Sequence, residues 1–218
     1  MTPVRAVVFD MDGVLVDTEQ DWDASRREVA AASGGRWHPH ATTDMIGMSA
    51  PEWSRYMHDE LGVDAEPEEI NRRVVARMLE RVGSGPPLLP GAGAAVEGLA
   101  GRWPLGLASS ANRPVINAVL DASGLARFFA ATVSSEEVPR GKPAPDVYLA
   151  AAKALDVEPS AVVAIEDSTN GIRSAAAAGM VVVALPNAHY PPDAGALAQS
   201  DSVIGTLDEL EPLSRSWR

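Results

Sequence analysis

The stretch VRAVVFDMDGVLVDT, residues 4–18, decides the fold. Residues 4–9 form an apolar, β-rich run interrupted only by Arg5 and Ala6, and the run stops at Asp10. Such a run predicts a strand buried on both faces of a parallel sheet. The strand delivers Asp10 and Asp12 to its carboxyl end, where open α/β sheets bind their ligands. Gly13 allows a sharp turn directly behind them. One carboxylate then suits a nucleophile and the other a general acid and base. Alone, the pair reads as readily as an acidic strand-to-loop turn, because aspartate is common in turns.

Downstream, short apolar runs recur at 104–108, 130–133, 161–165, 180–185 and 202–204. Between them lie segments of helical period at 92–99, 114–123, 146–155 and 170–178. This alternation predicts an α/β fold, a Rossmann-like parallel sheet with helices on both faces. Residues 18–82 differ: they hold no strand-like run and read as helices at 19–32, 51–61 and 67–82. The expected division is a core of residues 1–16 and 84–218 with an inserted small α-helical cap, 17–83. The linker at 83–87 combines glycines with prolines, which suits a hinge.

The other strand ends change the reading of Asp10 and Asp12. The run at 104–108 leads into Ser109 and Ser110, and the run at 161–165 leads into Glu166 and Asp167. Lys142 stands in RGKPAPDVY, between the run at 130–133 and a helix. Singly, Ser109 and Ser110 read as helix caps, Lys142 as a solvated lysine, and Glu166 and Asp167 as charges favouring a helix N-terminus. Together they bring carboxylates, a hydroxyl and an ammonium to one sheet edge. The carboxylates would repel one another and raise each other's pKa, a cost that a hard divalent cation removes. With no His or Cys in these motifs, Mg2+ fits the oxygen donors. Lys142 would add fixed positive charge, and Ser109 with nearby backbone N–H groups would hold phosphoryl oxygens.

Composition narrows the classes. At 218 residues and 46% hydrophobic, the chain can bury a core and hold a small second domain. A net charge of −12 lacks the basic footprint of a nucleic-acid partner. The absence of cysteine excludes disulfides, thiolate catalysis and cysteine zinc sites. No apolar run reaches the ~20 residues of a membrane helix. The expected setting is cytoplasmic, with no membrane partner.

The motifs FDMDGVLVDT, then Ser109, then Lys142 in GKPAPD, then Glu166 and Asp167 in EDSTNG follow one another in order. In this the sequence resembles the haloacid dehalogenase superfamily, in the branch of small phosphatases and β-phosphoglucomutases with a helical cap after the first motif. The resemblance implies a phosphatase acting on a small phosphorylated metabolite, a sugar or polyol phosphate, as a monomer. It implies Asp10 as nucleophile and metal ligand, and Asp12 as acid and base that also lends its backbone carbonyl to the metal. Ser109, Ser110 and Lys142 would bind the phosphoryl group, and Glu166 and Asp167 would complete the metal site.

A metal-free dehalogenase is disfavoured by Asp12 and by the Glu166–Asp167 pair. A mutase of the β-phosphoglucomutase type would carry a cap histidine where DTEQDW places Trp22, and a basic residue after Gly47, which IGMSAPEW lacks. A non-catalytic phosphate-binding regulator is the remaining class; the full set of catalytic residue types speaks against it. Trp22, Gly47 and Met48 are candidate substrate contacts from the cap. Asn112 reads as a leaving-group contact or a helix cap.

Overall fold

The structure, a computed structural model, describes residues 3–83 and 85–217. Ser84, in the linker expected at 83–87 and at the expected start of the second core segment, lies outside the described residues, as do Met1, Thr2 and Arg218. Six parallel strands form one sheet: β1 Ala6–Phe9, β2 Leu105–Ser109, β3 Phe129–Ser134, β4 Val162–Glu166, β5 Val181–Ala184 and β6 Ser202–Val203. Their spatial order is β3-β2-β1-β4-β5-β6, the doubly wound order. β1 is central, with Phe9 in register with Leu107 on one side and Ile165 on the other. Every apolar run in the sequence became a strand, because each is short and flanked by turn residues; β1, β2 and β4 are fully buried, whereas β3 and β6 form the partly exposed edges.

Alternation along the strands sorts side chains between two apolar layers. Val7, Phe9, Leu105, Leu107, Val163 and Ile165 face one layer, with α5 Ala92–Ala100 and α6 Arg113–Ser123. Ala6, Val8, Ala108, Val162 and Ala164 face the other, with α7 Asp146–Ala154 and α8 Thr169–Ala177. The second face is rich in alanine, so α8, itself alanine-rich, packs close to the sheet. Phe9 meets Phe129 edge-on at 6.1 Å between centroids. Emptying a site of this kind by Phe9→Ala costs roughly 3–5 kcal/mol.

Between β1 and α5 the described chain forms helices: α1 Glu19–Ala32, α2 Ala41–Met45, α3 Ala50–Asp59 and α4 Pro67–Val82. Ser49 and Glu52 close a capping box at the start of α3, with the Ser49 N–H donating to Glu52 at 2.7 Å. Pro67 opens α4 where its missing N–H is not needed. The way in and the way out lie side by side: Asp17 N–H donates to Pro87 at 2.8 Å, and Leu89 N–H to Leu15 at 2.9 Å. Trp22, Met45, Trp53 and Met57 from these helices join the apolar layer that includes Val7 and Phe9. Three helices escape sequence reading: α2, α9 Ala194–Leu197 and α10 Leu210–Ser214. Each spans about one turn, too short for a helical period to show.

Candidate active site

The site forms where the strand order reverses. Asp10 follows β1, Glu166 ends the neighbouring β4, and Asp167 comes next. Lys142, from the loop between β3 and α7, reaches in behind them and is 3% exposed. Its Nζ lies 2.9 Å from Asp10 Oδ1 and 2.6 Å from Glu166 Oε1, and donates to the Ala108 carbonyl at 3.1 Å. Burial alone would lower the lysine's pKa, but the carboxylates of Asp10 and Glu166 outweigh it and hold the ammonium charged above its usual range.

Glu166 is fully buried and internally engaged. Oε1 accepts from Lys142 and, at 2.8 Å, from the Tyr148 hydroxyl. Oε2 accepts from the backbone N–H groups of Asp167 and Ser168 and from the Ser168 hydroxyl. The carboxylate therefore sits against the N-terminus of α8, where the helix dipole favours it. Gly171 makes this possible: a Cβ there would lie 1.8 Å from Glu166 Oε1. Ser168 caps the same helix by accepting from Gly171 N–H at 3.1 Å.

Burial pushes Asp10 up to about 8; Lys142 opposes this, while Glu166 and Asp12 add to it. Asp167 is raised well above the usual carboxylate range by burial, then by Glu166 and Asp10. An Asn187 amide donating to Asp167 Oδ2 at 2.9 Å opposes that rise. Asp10, Glu166 and Asp167 each offer an oxygen within 4.8 Å of one another. Asp10 Oδ1 has the Lys142 ammonium as its partner, which partly offsets its burial. Gly13, at φ 77°, makes room: a Cβ there would meet Asp167 Oδ2 at 1.8 Å. A buried, all-oxygen, mutually repelling cluster fits a hard divalent cation.

Asp12 is gripped from α1 and its approach. Its Oδ1 accepts from the Thr18 hydroxyl and, at 2.9 Å, from Trp22 Nε1. Among the described residues Oδ2 has no such partner. Trp22, an expected substrate contact, thus also orients a candidate catalytic carboxylate.

A cleft between the sheet edge and the helical insert is lined by Asp10, Asp12, Trp22, Gly47, Ser110 and Lys142, among others. The cleft is narrow, with a cavity volume of about 50 Å³. Ser110 Oγ donates to the Gly47 carbonyl at 3.4 Å, and Asn170 Nδ2 to the Ile46 carbonyl at 3.5 Å, tying the insert down over the site. Ser109 is buried at the end of β2, its hydroxyl accepting from Ala111 N–H at 3.0 Å. Asn112 stands away from this lining. It neither caps α6 through its side chain nor enters the cleft; its amide donates to Asn71 of α4 at 3.0 Å and to Glu136 at 2.6 Å.

Sequence reading missed Tyr148, Asn187, Glu19 and Arg26. The Tyr148 ring also lies 5.1 Å from Lys142 Nζ. Glu19 and Arg26 both line the cleft from α1. Burial pushes Glu19 up to about 7, helped by Asp12 and opposed by Arg26. Burial lowers Arg26 to about 10, against the pull of Glu19 and Asp12. Their seven-residue spacing on a helix was the one available signal.

The haloacid dehalogenase-like hydrolase family matches residues 4–179. Hexitol phosphatase B of Escherichia coli K12 is 34% identical over 221 residues, covering 95% of this chain and 94% of that protein. A phosphorylated carbohydrates phosphatase of Thermotoga maritima is 31% identical, covering 95% of this chain and 100% of that one. Among solved structures, CbbY from Rhodobacter sphaeroides in complex with phosphate superposes with a TM-score of 0.84 at 26% identity, over 95% of this chain and 96% of that one. The central β1 with Asp10 at its end, the buried acidic cluster and this family match agree: the chain belongs to the haloacid dehalogenase-like hydrolases.

Proposed function

We propose that the protein is a Mg2+-dependent phosphatase that hydrolyses a sugar or polyol monophosphate through a phosphoaspartate on Asp10. The observation that carries this reading is the meeting of Asp10, Lys142 and Asp167 at the adjacent ends of β1 and β4, beneath a helical insert. The relatives' names give the substrate class.

Asp10, Asp167 and Glu166 would hold the cation, with the backbone carbonyl of Asp12. When bound, the cation screens the anionic phosphate from the anionic nucleophile. Lys142 binds a phosphoryl oxygen and holds Asp10 in place, itself anchored by Glu166 and Tyr148. Ser109, Ser110 and nearby backbone N–H groups complete the phosphoryl site. Asp10 attacks phosphorus in line with the leaving oxygen, and the P–O bond to the alcohol breaks as Asp12 donates its proton to that oxygen. The alcohol departs. Asp12, now a carboxylate, takes a proton from water, which attacks the phosphoaspartate and releases inorganic phosphate with Asp10 restored.

Residues 17–83 act in this reading as a cap over a core of 1–16 and 84–218. The tightness of the cleft supports a cap that opens to admit substrate. Trp22 on Asp12, in place of a cap histidine, supports phosphatase over mutase. In this reading the enzyme works in the cytoplasm as a monomer. Among the described residues no helix is long and apolar enough to cross a membrane. The test is turnover of a generic phosphate ester with Mg2+ and after chelation, with Asp10→Asn as the control. Hydrolysis that needs the metal and vanishes in the variant is expected; hydrolysis that survives both contradicts the proposal.

A further inference from the structure

We propose that Glu19 and Arg26 form a diol-binding pair that selects uncharged polyhydroxy chains on the leaving group and turns away a second phosphate. This rests on the phosphatase reading and deepens it.

The two residues are seven apart on α1, so they share the face that looks onto the cleft with Asp10 and Asp12. Arg26 is 8% exposed. Its guanidinium lies against a packed pair of indoles, 5.2 Å from the Trp22 centroid and 5.1 Å from that of Trp53. The aromatic packing fixes the guanidinium and leaves its in-plane N–H groups as the means of contact. Nε has no hydrogen-bond partner. Among the described residues, neither Glu19 nor Arg26 makes a close side-chain ion pair, although the two attract each other through space. Buried polar groups are rarely left unmatched, and here the buried Arg26 Nε donor stands unmatched beside the reaction centre, with the half-buried Glu19 carboxyl on the same cleft.

The chemistry of the pair narrows the ligand. A guanidinium only donates, and a carboxylate only accepts. A hydroxyl does both, so neighbouring hydroxyls accept from Arg26 and donate to Glu19 at once. A second phosphate or a carboxylate offers acceptors alone. It would satisfy Arg26 but press its charge against Glu19 and Asp12, a repulsion that works as discrimination. The pair therefore favours a monophosphate with a hydroxylated leaving group over a bisphosphate or a phosphorylated acid.

The test compares the protein with Glu19→Gln and Arg26→Met, all with Mg2+. Substrates are a hexitol phosphate, p-nitrophenyl phosphate, which has no hydroxyl, and 2-phosphoglycolate, with a hexose bisphosphate as inhibitor. Turnover of p-nitrophenyl phosphate by the unaltered protein reads the phosphatase assignment alone. The ratio of kcat/KM for the hexitol phosphate to that for p-nitrophenyl phosphate reads the pair. That ratio is expected to fall about tenfold or more in each variant, chiefly through KM. Glu19→Gln is also expected to bind the bisphosphate more tightly. If Arg26→Met fails to fold, the near-isosteric Glu19→Gln decides. A second readout is independent of turnover: stabilisation of Asp10→Asn by the hexitol phosphate should weaken when Glu19→Gln is added. An unchanged ratio and unchanged stabilisation overturn the pair, as does a preference of the unaltered protein for 2-phosphoglycolate over the hexitol phosphate.

Discussion

Trp22 Nε1 donates to Asp12 Oδ1 across 2.9 Å, and so ties the first helix of the insert to the carboxylate assigned to proton transfer. The indole is 5% exposed, and its ring packs against Trp53 with centroids 6.3 Å apart. Trp22→Phe keeps most of that packing and removes the donor. Loss of a hydrogen bond is worth about 0.5–1.5 kcal/mol, so kcat is expected to fall by about two- to tenfold. Steady-state kinetics on a generic ester check this; a full kcat would mean that Thr18 alone orients Asp12.

Lys142 and Glu166 form a buried ion pair, and removing one partner strands the other. Glu166→Gln is expected to lower stability by roughly 3–5 kcal/mol and to weaken phosphate binding, because Lys142 loses the anchor that aims it. Urea denaturation and product inhibition by inorganic phosphate measure the two effects. Stability and inhibition both at the parent level would show that Ala108 and Asp10 suffice to place the ammonium.

Gly13 holds a positive φ against Asp167 with no space for a methyl group. Gly13→Ala is expected to displace Asp167 and cost most of the activity, together with the stabilisation by Mg2+. A thermal melt with and without the metal separates this from simple unfolding: a variant that folds but no longer responds to the metal is the expected result.

Metal and proton compete for the acidic cluster. Asp10 rises from the ordinary carboxylate range to about 8 and Asp167 rises as well, so both bind protons more tightly in the folded protein than in the unfolded chain. Without metal, their contribution to stability is fully present below about pH 4 and is lost as pH climbs toward about 8. Cation binding displaces those protons. The rise in melting temperature produced by Mg2+ is therefore expected to be larger at pH 8 than at pH 5.5. An equal or smaller rise at pH 8 would show that these carboxylates do not bind the metal.

Much of this architecture is written locally. The apolar run 4–9 stops at Asp10 because apolar residues give way to acid and glycine, and the later runs are read the same way. Glu166 and Asp167 inherit their place from the run before them. Lys142 lies on no periodic element, and only its motif marked it. What the sequence hides is side-chain direction across elements far apart in the chain. Nothing near Tyr148 says that its hydroxyl meets Glu166, and nothing near Asn187 says that it holds Asp167. Asn112 shows the same limit: its place after Ser109 suggests a cap or a substrate contact, whereas its amide bridges Asn71 and Glu136. Nor does anything near Arg26 say that its guanidinium packs against both Trp22 and Trp53.

The most direct measurement is to quench turnover of a phosphate ester in acid and map the phosphoryl group by peptide mass spectrometry. One phosphoryl group on the peptide containing Asp10, formed only with Mg2+ and absent from Asp10→Asn, is the expected result. Full turnover in Asp10→Asn, or a phosphoryl group that maps to another residue, would contradict the assignment of Asp10 as nucleophile.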